Sequence, residues 1–307
     1  MIKKSLIFGV GFLIPFVVGE AVLRYIDPYY FAEKEERTQF GAEIMDPKTN
    51  RLRPGVEGFY LGEKTVISEQ GWRSPAFEIP KPAGVFRVLL LGGSVPFGWG
   101  VNQGDEYPRV LERMLNDADL AGGKRIEVIN TGVPGWRMGR AGELLQKEGL
   151  QYQPDMVLLT LVATDVPTKR DQNRRGELFN DDIRRLRLAW VFENRYRFNT
   201  PGMTGKRYDA YENLSDGGLV AVNALLGDFL DLCNKAGARL VVFDTLGKET
   251  TRARCKALAV HHIKGYTTWK LRSSWEVTPT DPHPNASGHR HIADMIFRGL
   301  KKRSLWN

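Results

Sequence analysis

The sequence predicts an α/β protein in which a mostly parallel sheet lies between two layers of helices. Short apolar segments alternate with segments of helical spacing over residues 86–302, an order typical of parallel sheets that are covered on both faces. The chain has 307 residues, of which 42% are hydrophobic and 26% charged. These proportions suit one large domain and exclude a disordered or fibrous protein. Cys233 and Cys255 are the only cysteines, which excludes a disulfide scaffold and a cysteine-rich zinc site.

Four apolar runs are the predicted strands of this sheet. The first two lead into glycine-containing turns, Gly92-Gly93-Ser94 and a second turn at 131–135. The predicted strands cover 86–91, 126–130, 156–162 and 239–243, and the predicted helices cover 107–115, 139–149, 220–236 and 286–302. Because ligands of such sheets bind at the carboxyl ends of the strands, we expect the functional residues there.

The N-terminus predicts where the protein resides. Residues 5–23 are apolar apart from Ser5 and Glu20 and follow Lys3 and Lys4, a length and charge pattern typical of a single membrane anchor with the main domain on the periplasmic or extracytoplasmic side of the cytoplasmic membrane. A cleaved signal peptide and a buried helix are the alternatives, since small residues flank Glu20 at a cleavage-relevant spacing. The predicted organisation is therefore an anchor or signal segment at 1–24, a proline-rich lead-in at 25–84 and the main domain at 85–307.

Two features of the lead-in and the charge distribution refine this organisation. The prolines of the lead-in allow only small edge strands, near 58–61 and 65–68. The net charge of +8 comes mostly from a basic insertion at 168–207, which contains eleven Lys and Arg residues and five Asp and Glu residues. Aromatic residues lie between these basic residues. A solvated cap or membrane-facing flap explains this insertion better than nucleic-acid binding, because the protein is expected outside the cytoplasm. We expect the insertion to contact anionic lipid headgroups or an acidic polysaccharide.

Several chemically active residues follow the predicted strands. Ser94 follows the first strand and Gly135 the second, while the third is followed by Thr164 and Asp165. A histidine and a carboxylate, His283 and Asp281, precede the final helix. Serine, histidine and carboxylate are the components of nucleophilic acyl transfer. The prolines after Asp281 and His283 favour an extended backbone, in which residues two apart point to the same side.

Four segments resemble blocks I, II, III and V of the SGNH (GDSL-like) hydrolases, in the order of that family. They are LLLGGSVPFGWGV, INTGVPGW, PDMVLLTLVATD and DPHPNASGHRHIA. The phrases GWRSPAF and KPAGVFRVLLLGGS also resemble a membrane-anchored bacterial branch of the family. The resemblance implies a three-layer α/β/α sandwich and no cofactor.

Carried over residue by residue, the resemblance implies a role for each member of the site. Ser94 is the nucleophile and its N–H an oxyanion donor, Gly135 supplies a second donor, His283 is the general base and Asp281 orients it. The third oxyanion position, an asparagine in the family, is Thr164, whose hydroxyl is a shorter donor.

Two further positions depart from the family pattern. Gly93 stands where block I has aspartate, and the spacing from acid to histidine is DxH rather than DxxH, with Thr280 at the longer position. Asp281 is therefore the adjacent candidate for the orienting acid.

Other interpretations of these residues stay open or are set aside. The turn before Ser94 lacks the spacing of a phosphate-binding loop or a GxSxG elbow. Asp165 is either a helix cap or a site residue. The pair His261-His262 has no acidic partner at metal spacing in the sequence, so no metal is expected. His289 and His291 are expected to be structural or exposed.

The sequence therefore predicts a membrane-anchored serine esterase or acyltransferase of SGNH type. Its expected substrates are O-acyl groups, chiefly O-acetyl, on a carbohydrate or lipid outside the cytoplasm. The alternative, motivated by Thr164, is a catalytically silent module that keeps the fold and binds or assembles an envelope polysaccharide. The oligomeric state does not follow from the sequence.

Overall fold

The structure of the protein is a computed structural model that describes residues 14–15, 17–19, 21–22, 29–162, 165–166, 216–265, 275–277, 281, 283–302 and 305–306. The chain divides into two units, one formed by residues 1–36 with 170–209 and the other by residues 37–169 with 210–307. In the first unit the described residues are helical, and Ile14, Val17, Val18 and Val22 are about half exposed. Among the described residues, no helix has both the length and the apolar character needed to cross a bilayer. The predicted basic insertion lies outside the described residues.

The second unit is built on a five-stranded, fully parallel sheet. The four predicted strands are present within one or two residues of their predicted ends, and a fifth strand that the sequence did not reveal lies at one edge. The strands are β5 Val85–Leu91, β6 Arg125–Asn130, β7 Met156–Leu161, β8 Arg239–Asp244 and β9 His261–Lys264, in the spatial order β6-β5-β7-β8-β9.

Helices cover both faces of this sheet. In chain order the helices of the described residues are α1 Tyr29–Ile44, α2 Ser94–Phe97, α3 Tyr107–Asp117, α4 Met138–Lys147, α5 Asp216–Lys235, α6 Glu249–Ala257 and α7 Ala286–Lys301, with a 3-10 turn at Gly149–Tyr152. Along β5, Leu89 and Leu91 pack in the core shared with α4 and α5, whereas Val88 and Leu90 pack in the core shared with α3 and α7. This alternation confirms the predicted three-layer α/β/α arrangement, because successive side chains of a strand point to opposite faces.

The predicted helices form where the sequence patterns placed them. In α3, Tyr107, Leu111 and Leu115 recur every four residues and are fully buried, as expected for a helix with one apolar face. Helix α5 ends at Lys235, and Gly237, two residues further on, adopts a left-handed φ of 69°, a conformation that favours glycine and ends helices. Helix α6 was not predicted, because its sequence ETTRARCKA buries only Thr251 and Cys255.

The lead-in does not form a second core but adds to the first. It contains two short antiparallel pairs, β1 Met45–Asp46 with β2 Arg51–Leu52 and β3 Glu57–Tyr60 with β4 Glu63–Val66. Several of its side chains are almost fully buried in the core that also contains α4 and α5; they are Phe40, Ile44, Leu52, Tyr60, Ile67, Trp72 and Phe77. The segment therefore forms part of the frame that holds the carboxyl edge of the sheet.

Candidate active site

The first functional side chain, Ser94, follows β5 at the start of the short helix α2. The residue is partly exposed, whereas the three other residues of α2 are buried. The turn before Ser94 is tight, since a Cβ atom on Gly93 would lie 2.8 Å from the backbone oxygen of Trp136. A larger side chain would therefore push the two loops apart. No acceptor for the N–H of Ser94 lies within the part of the chain that is described.

Ser94, His283 and Asp281 form one continuous hydrogen-bonded chain. The Nε2 atom of His283 lies 2.8 Å from the Oγ of Ser94, and its Nδ1 atom lies 2.5 Å from Oδ1 of Asp281. The backbone N–H of His283 donates to the same Oδ1 at 3.1 Å. With Nδ1–H donating to the carboxylate, Nε2 is left to accept the proton of the serine hydroxyl. The structure thus brings together the three residues that sequence reasoning selected.

Backbone contacts and the cap of α7 fix His283 in place. The N–H of Val277 donates to the backbone oxygen of His283 at 2.9 Å, and Glu276 pairs with Pro284 in an antiparallel β-bridge. Two residues later, the side chain of Asn285 caps α7 by accepting from the N–H of Gly288 at 3.1 Å. The segment that carries the base is therefore tied on one side to 275–277 and on the other to the first turn of α7.

Asp281 is fully buried, and its described hydrogen bonds come from donors that stabilise its ionised form. Its second oxygen, Oδ2, accepts hydrogen bonds from the Tyr60 hydroxyl at 2.9 Å and from Nε1 of Trp99 at 3.0 Å. Arg37 lies 3.9 Å from the same oxygen. Burial raises the pKa of Asp281, but the hydrogen bond and charge of His283 together with the charge of Arg37 outweigh burial, so its pKa lies well below the usual range.

Gly135 lies in the loop after β6, which is held against the serine turn. Asn130 ties the two together, since its Nδ2 donates to the backbone oxygen of Pro96 at 2.8 Å and its Oδ1 accepts from the N–H of Gly132 at 3.0 Å. Gly135 is exposed and has a left-handed φ of 79°, which favours glycine at this position. Its N–H donates to no acceptor among the described residues. Among the described residues, the N–H groups of Ser94 and Gly135 thus both lack a hydrogen-bond acceptor. Thr164 lies outside the described residues.

Asp165, for which the sequence left two interpretations, caps a helix. Its carboxylate accepts from the backbone N–H of Met138 at 2.9 Å and from that of Val162 at 2.8 Å. It therefore joins the first turn of α4 to the end of β7. Because the group is buried, its pKa is raised to about 7, and its hydrogen bonds and the charge of Arg137 only partly oppose this rise.

Four residues around this site had no assignment in the sequence. Tyr60, Trp99 and Arg37 surround Asp281 as described above. The fourth, Arg73, is fully buried and donates to backbone oxygens of Phe97, Gly98 and Val101, which fixes the loop that carries Trp99. Arg73 and Trp99 stand in the quoted phrases GWRSPAF and LLLGGSVPFGWGV. Tyr60 and Arg37 stand in neither, because they become neighbours of Asp281 only through contacts distant in sequence.

The other histidines do not join the site. His289 is fully buried on α7, its ring stacks on that of Tyr107 at 5.9 Å, and its Nδ1 accepts from the N–H of Tyr107. Burial, with smaller contributions from the charges of Arg73 and His283, lowers the pKa of His289 to about 3. His262 pairs with Asp244 at 3.0 Å. Within the described residues, no group of three or more His, Cys, Asp or Glu residues is placed to hold a metal ion.

Comparison with known proteins gives likenesses at the level of structure. No protein-family model and no curated protein sequence matches the chain. The chain is similar to the esterase EstA from Pseudoalteromonas sp. (15% identity, TM-score 0.45, covering 70% of this chain and 97% of that one). It is also similar to a lipase/acylhydrolase from Enterococcus faecalis (14% identity, TM-score 0.45, covering 71% of this chain and 96% of that one). A third similar structure is Axe2, an acetyl-xylooligosaccharide esterase from Geobacillus (12% identity, TM-score 0.42, covering 70% of this chain and 93% of that one). At these identities and scores, the argument for function rests on the geometry of the site.

Proposed function

We propose that the protein is a serine esterase of SGNH type that cleaves O-acyl groups through an acyl-enzyme. The observation that carries the proposal is the continuous chain from Ser94 Oγ through His283 to the buried Asp281. In such a chain the histidine accepts the serine proton while the carboxylate holds the histidine in the required tautomer.

Each step of the reaction has a residue to perform it. Ser94 Oγ attacks the acyl carbon as its proton passes to Nε2 of His283, and the negative charge that develops on the acyl oxygen is bound by the N–H groups of Ser94 and Gly135. His283 then gives the proton to the departing alcohol oxygen, which leaves an ester on Ser94. A water molecule, or a hydroxyl of an acceptor, loses its proton to His283 and attacks this ester, releasing the acid or the transferred ester and restoring the serine.

The substrate class and location come from the sequence. We propose O-acetyl groups on a carbohydrate or lipid outside the cytoplasm, because residues 5–23 have the pattern of an anchor and the basic insertion suits an acidic glycan or lipid headgroup. Hydrolysis and transfer use the same triad. Product analysis with an O-acetylated polysaccharide and a competing hydroxyl acceptor distinguishes free acetate from an acetylated acceptor.

A Ser94→Ala variant tests the proposal. The wild-type protein is expected to hydrolyse a small activated acetyl ester and to be labelled covalently by a fluorophosphonate probe, whereas Ser94→Ala loses both. Ser74→Ala is the matched control, because Ser74 is a buried serine whose hydroxyl, within the described part of the chain, is hydrogen-bonded to the backbone oxygen of Val128 at 3.4 Å and not to any residue of the proposed triad. Equal labelling of wild type and Ser94→Ala would overturn the proposal. A folded wild-type protein that is neither labelled nor active would favour the silent binding module.

A further inference from the structure

We propose that Tyr60 and Trp99 are positioning residues that fix the carboxylate of Asp281 for catalysis. The catalytic part of this inference rests on the proposed esterase function. Their described side-chain hydrogen bonds go to Asp281, through which both are inferred to act. The Trp99 ring also lies 6.0 Å from the imidazole of His283. Tyr60 comes from the lead-in and lies 221 residues before the aspartate, and Trp99 follows the nucleophile helix α2.

The two oxygens of Asp281 have separate partners. Oδ1 accepts only from His283 among the described hydrogen bonds, through Nδ1 at 2.5 Å and through the backbone N–H at 3.1 Å. Oδ2 accepts from the Tyr60 hydroxyl at 2.9 Å and from the Trp99 indole N–H at 3.0 Å. Two donors on one oxygen fix the rotation of the carboxylate, so its other oxygen stays directed at the imidazole.

The two donors are themselves held by packing. Tyr60 and Trp99 are 1% and 7% exposed, and their rings lie 5.2 Å apart. Phe40 stacks on Tyr60 at 5.8 Å and meets Trp99 edge-on at 5.0 Å, so three aromatic rings form one cluster beneath the aspartate. The backbone N–H of Trp99 also donates to the backbone oxygen of Ser94 at 3.2 Å. The cluster therefore sets the distance between the orienting acid and the nucleophile.

Neutral donors suit this position electrostatically. The charged and titratable groups that face Asp281 from the described elements are His283, Arg37 from α1 and Tyr60 from β3. Arg37 lies 3.9 Å away and its side chain is 42% exposed, so solvent weakens its effect. A hydroxyl and an indole N–H hold the carboxylate without a full positive charge, which would compete with the imidazolium that forms during catalysis.

The test compares Tyr60→Phe, Trp99→Phe and the double variant with two controls. Each substitution keeps an aromatic ring but removes one donor, so kcat is expected to fall about 10- to 100-fold with little change in KM, the range for losing one hydrogen bond to a charged group. With fewer donors, the carboxylate binds the protonated imidazole more strongly, so the acid limb of the kcat/KM profile moves to higher pH. Two controls are expected to leave the acid limb in place. Trp72→Phe removes an indole donor to Tyr152, and Phe40→Leu alters the packing of the cluster without removing a donor to Asp281.

Two further measurements separate positioning from mere structural support. In an Asp281→Ala background, Tyr60→Phe and Trp99→Phe should cause little additional loss, because the group through which they act is gone. The low-field proton resonance of His283 Nδ1–H should shift in both variants and stay unchanged in Trp72→Phe.

The outcomes distinguish this inference from the proposed function. The positioning role would be overturned, even in an active enzyme, if Tyr60→Phe and Trp99→Phe lower kcat equally with and without Asp281. It would also be overturned if, in both variants, neither the acid limb of the kcat/KM profile nor the His283 Nδ1–H resonance moves. If wild type is folded but turns over no ester and is not labelled, the proposed function fails, and the resonance shift decides whether the two donors position the dyad.

Discussion

Asp281 and Asp165 are both buried carboxylates, yet their environments shift their ionisation in opposite directions. Asp165 accepts only from the backbone N–H groups of Met138 and Val162, and its pKa is raised to about 7. Asp281 is even less exposed, but the proximity of His283 and Arg37 lowers its pKa despite burial. At Asp281 the hydrogen bond and charge of His283, together with the charge of Arg37, outweigh burial, whereas at Asp165 two backbone N–H groups and the charge of Arg137 do not.

This difference separates a reactive carboxylate from a structural one. In the proposed reaction, Asp281 must be anionic to stabilise the imidazolium form of His283 during proton transfer. Asp165 joins α4 to the end of β7 and needs only to accept hydrogen bonds. Substitutions at the two positions are therefore expected to affect different properties of the protein, namely turnover at Asp281 and stability at Asp165.

The largest expected effect is on catalysis by Asp281→Asn. An amide at this position keeps the shape but removes the negative charge and favours the wrong histidine tautomer, so kcat should fall by about 10⁴-fold. Asp165→Asn is the matched substitution and should lower kcat by less than about tenfold, because it only alters loop support. Steady-state kinetics on an activated acetyl ester measures both. Similar losses in the two variants would remove the functional distinction between the two aspartates.

The next effect is on the pH dependence of stability through Asp165. Its pKa is about 7 in the folded protein and near 3.8 in an unfolded chain, so between these values the folded protein holds a proton that the unfolded chain has released. The free energy of unfolding therefore falls as pH rises from about 4 to 7, by at most about 4 kcal/mol from this group.

Urea unfolding at pH 5 and pH 8 measures this dependence in wild type and Asp165→Asn. The difference in unfolding free energy between wild type and Asp165→Asn isolates the contribution of Asp165, because the other titrating groups are the same in both proteins. One of them is His289, whose lowered pKa makes stability rise with pH. We expect the stability of wild type relative to the variant to be greater at pH 5 than at pH 8. An unchanged difference would show that Asp165 does not titrate in this range.

The smallest expected effect comes from Arg37→Gln. Because Arg37 is partly exposed and lies 3.9 Å from Asp281, its removal should lower kcat only a few fold, and added salt should reduce the gap between variant and wild type. Arg298→Gln is the control, since Arg298 pairs with Asp294 on the exposed side of α7. Kinetics at low and high ionic strength measures the effect. A large loss that does not depend on salt would mean that Arg37 has a further role.

The parts of the molecule that follow local patterns could be predicted from the sequence. The core strands β5 to β8 are mostly apolar and buried, although β5 contains Arg87 and β6 contains Glu127 and Asn130. Ser94, Asp281 and His283 stand in the segments quoted from the sequence. Strand β9 has the sequence HHIK and only one buried residue, Ile263, so its alternation is too weak to detect. Tyr60 looked like one aromatic residue among several in a proline-rich segment, because its partner is distant in sequence.

Asp165 shows a further limit of local reasoning. An aspartate after a strand suggests a cap for the helix that follows it, but this one caps α4, which begins 27 residues earlier. A sequence pattern identifies a residue that can accept hydrogen bonds from backbone N–H groups. The fold determines which N–H groups come within reach.

The distance along the chain between the triad members has a consequence for biosynthesis. Ser94 and His283 are separated by 189 residues, and the aromatic cluster that holds Asp281 begins at Phe40. A ribosome therefore completes the nucleophile, the serine turn and most of the sheet long before it adds the base. If the protein has the proposed esterase function, such an intermediate carries the nucleophile without its general base, so we expect the growing chain to stay inert toward acylated molecules until His283 is added.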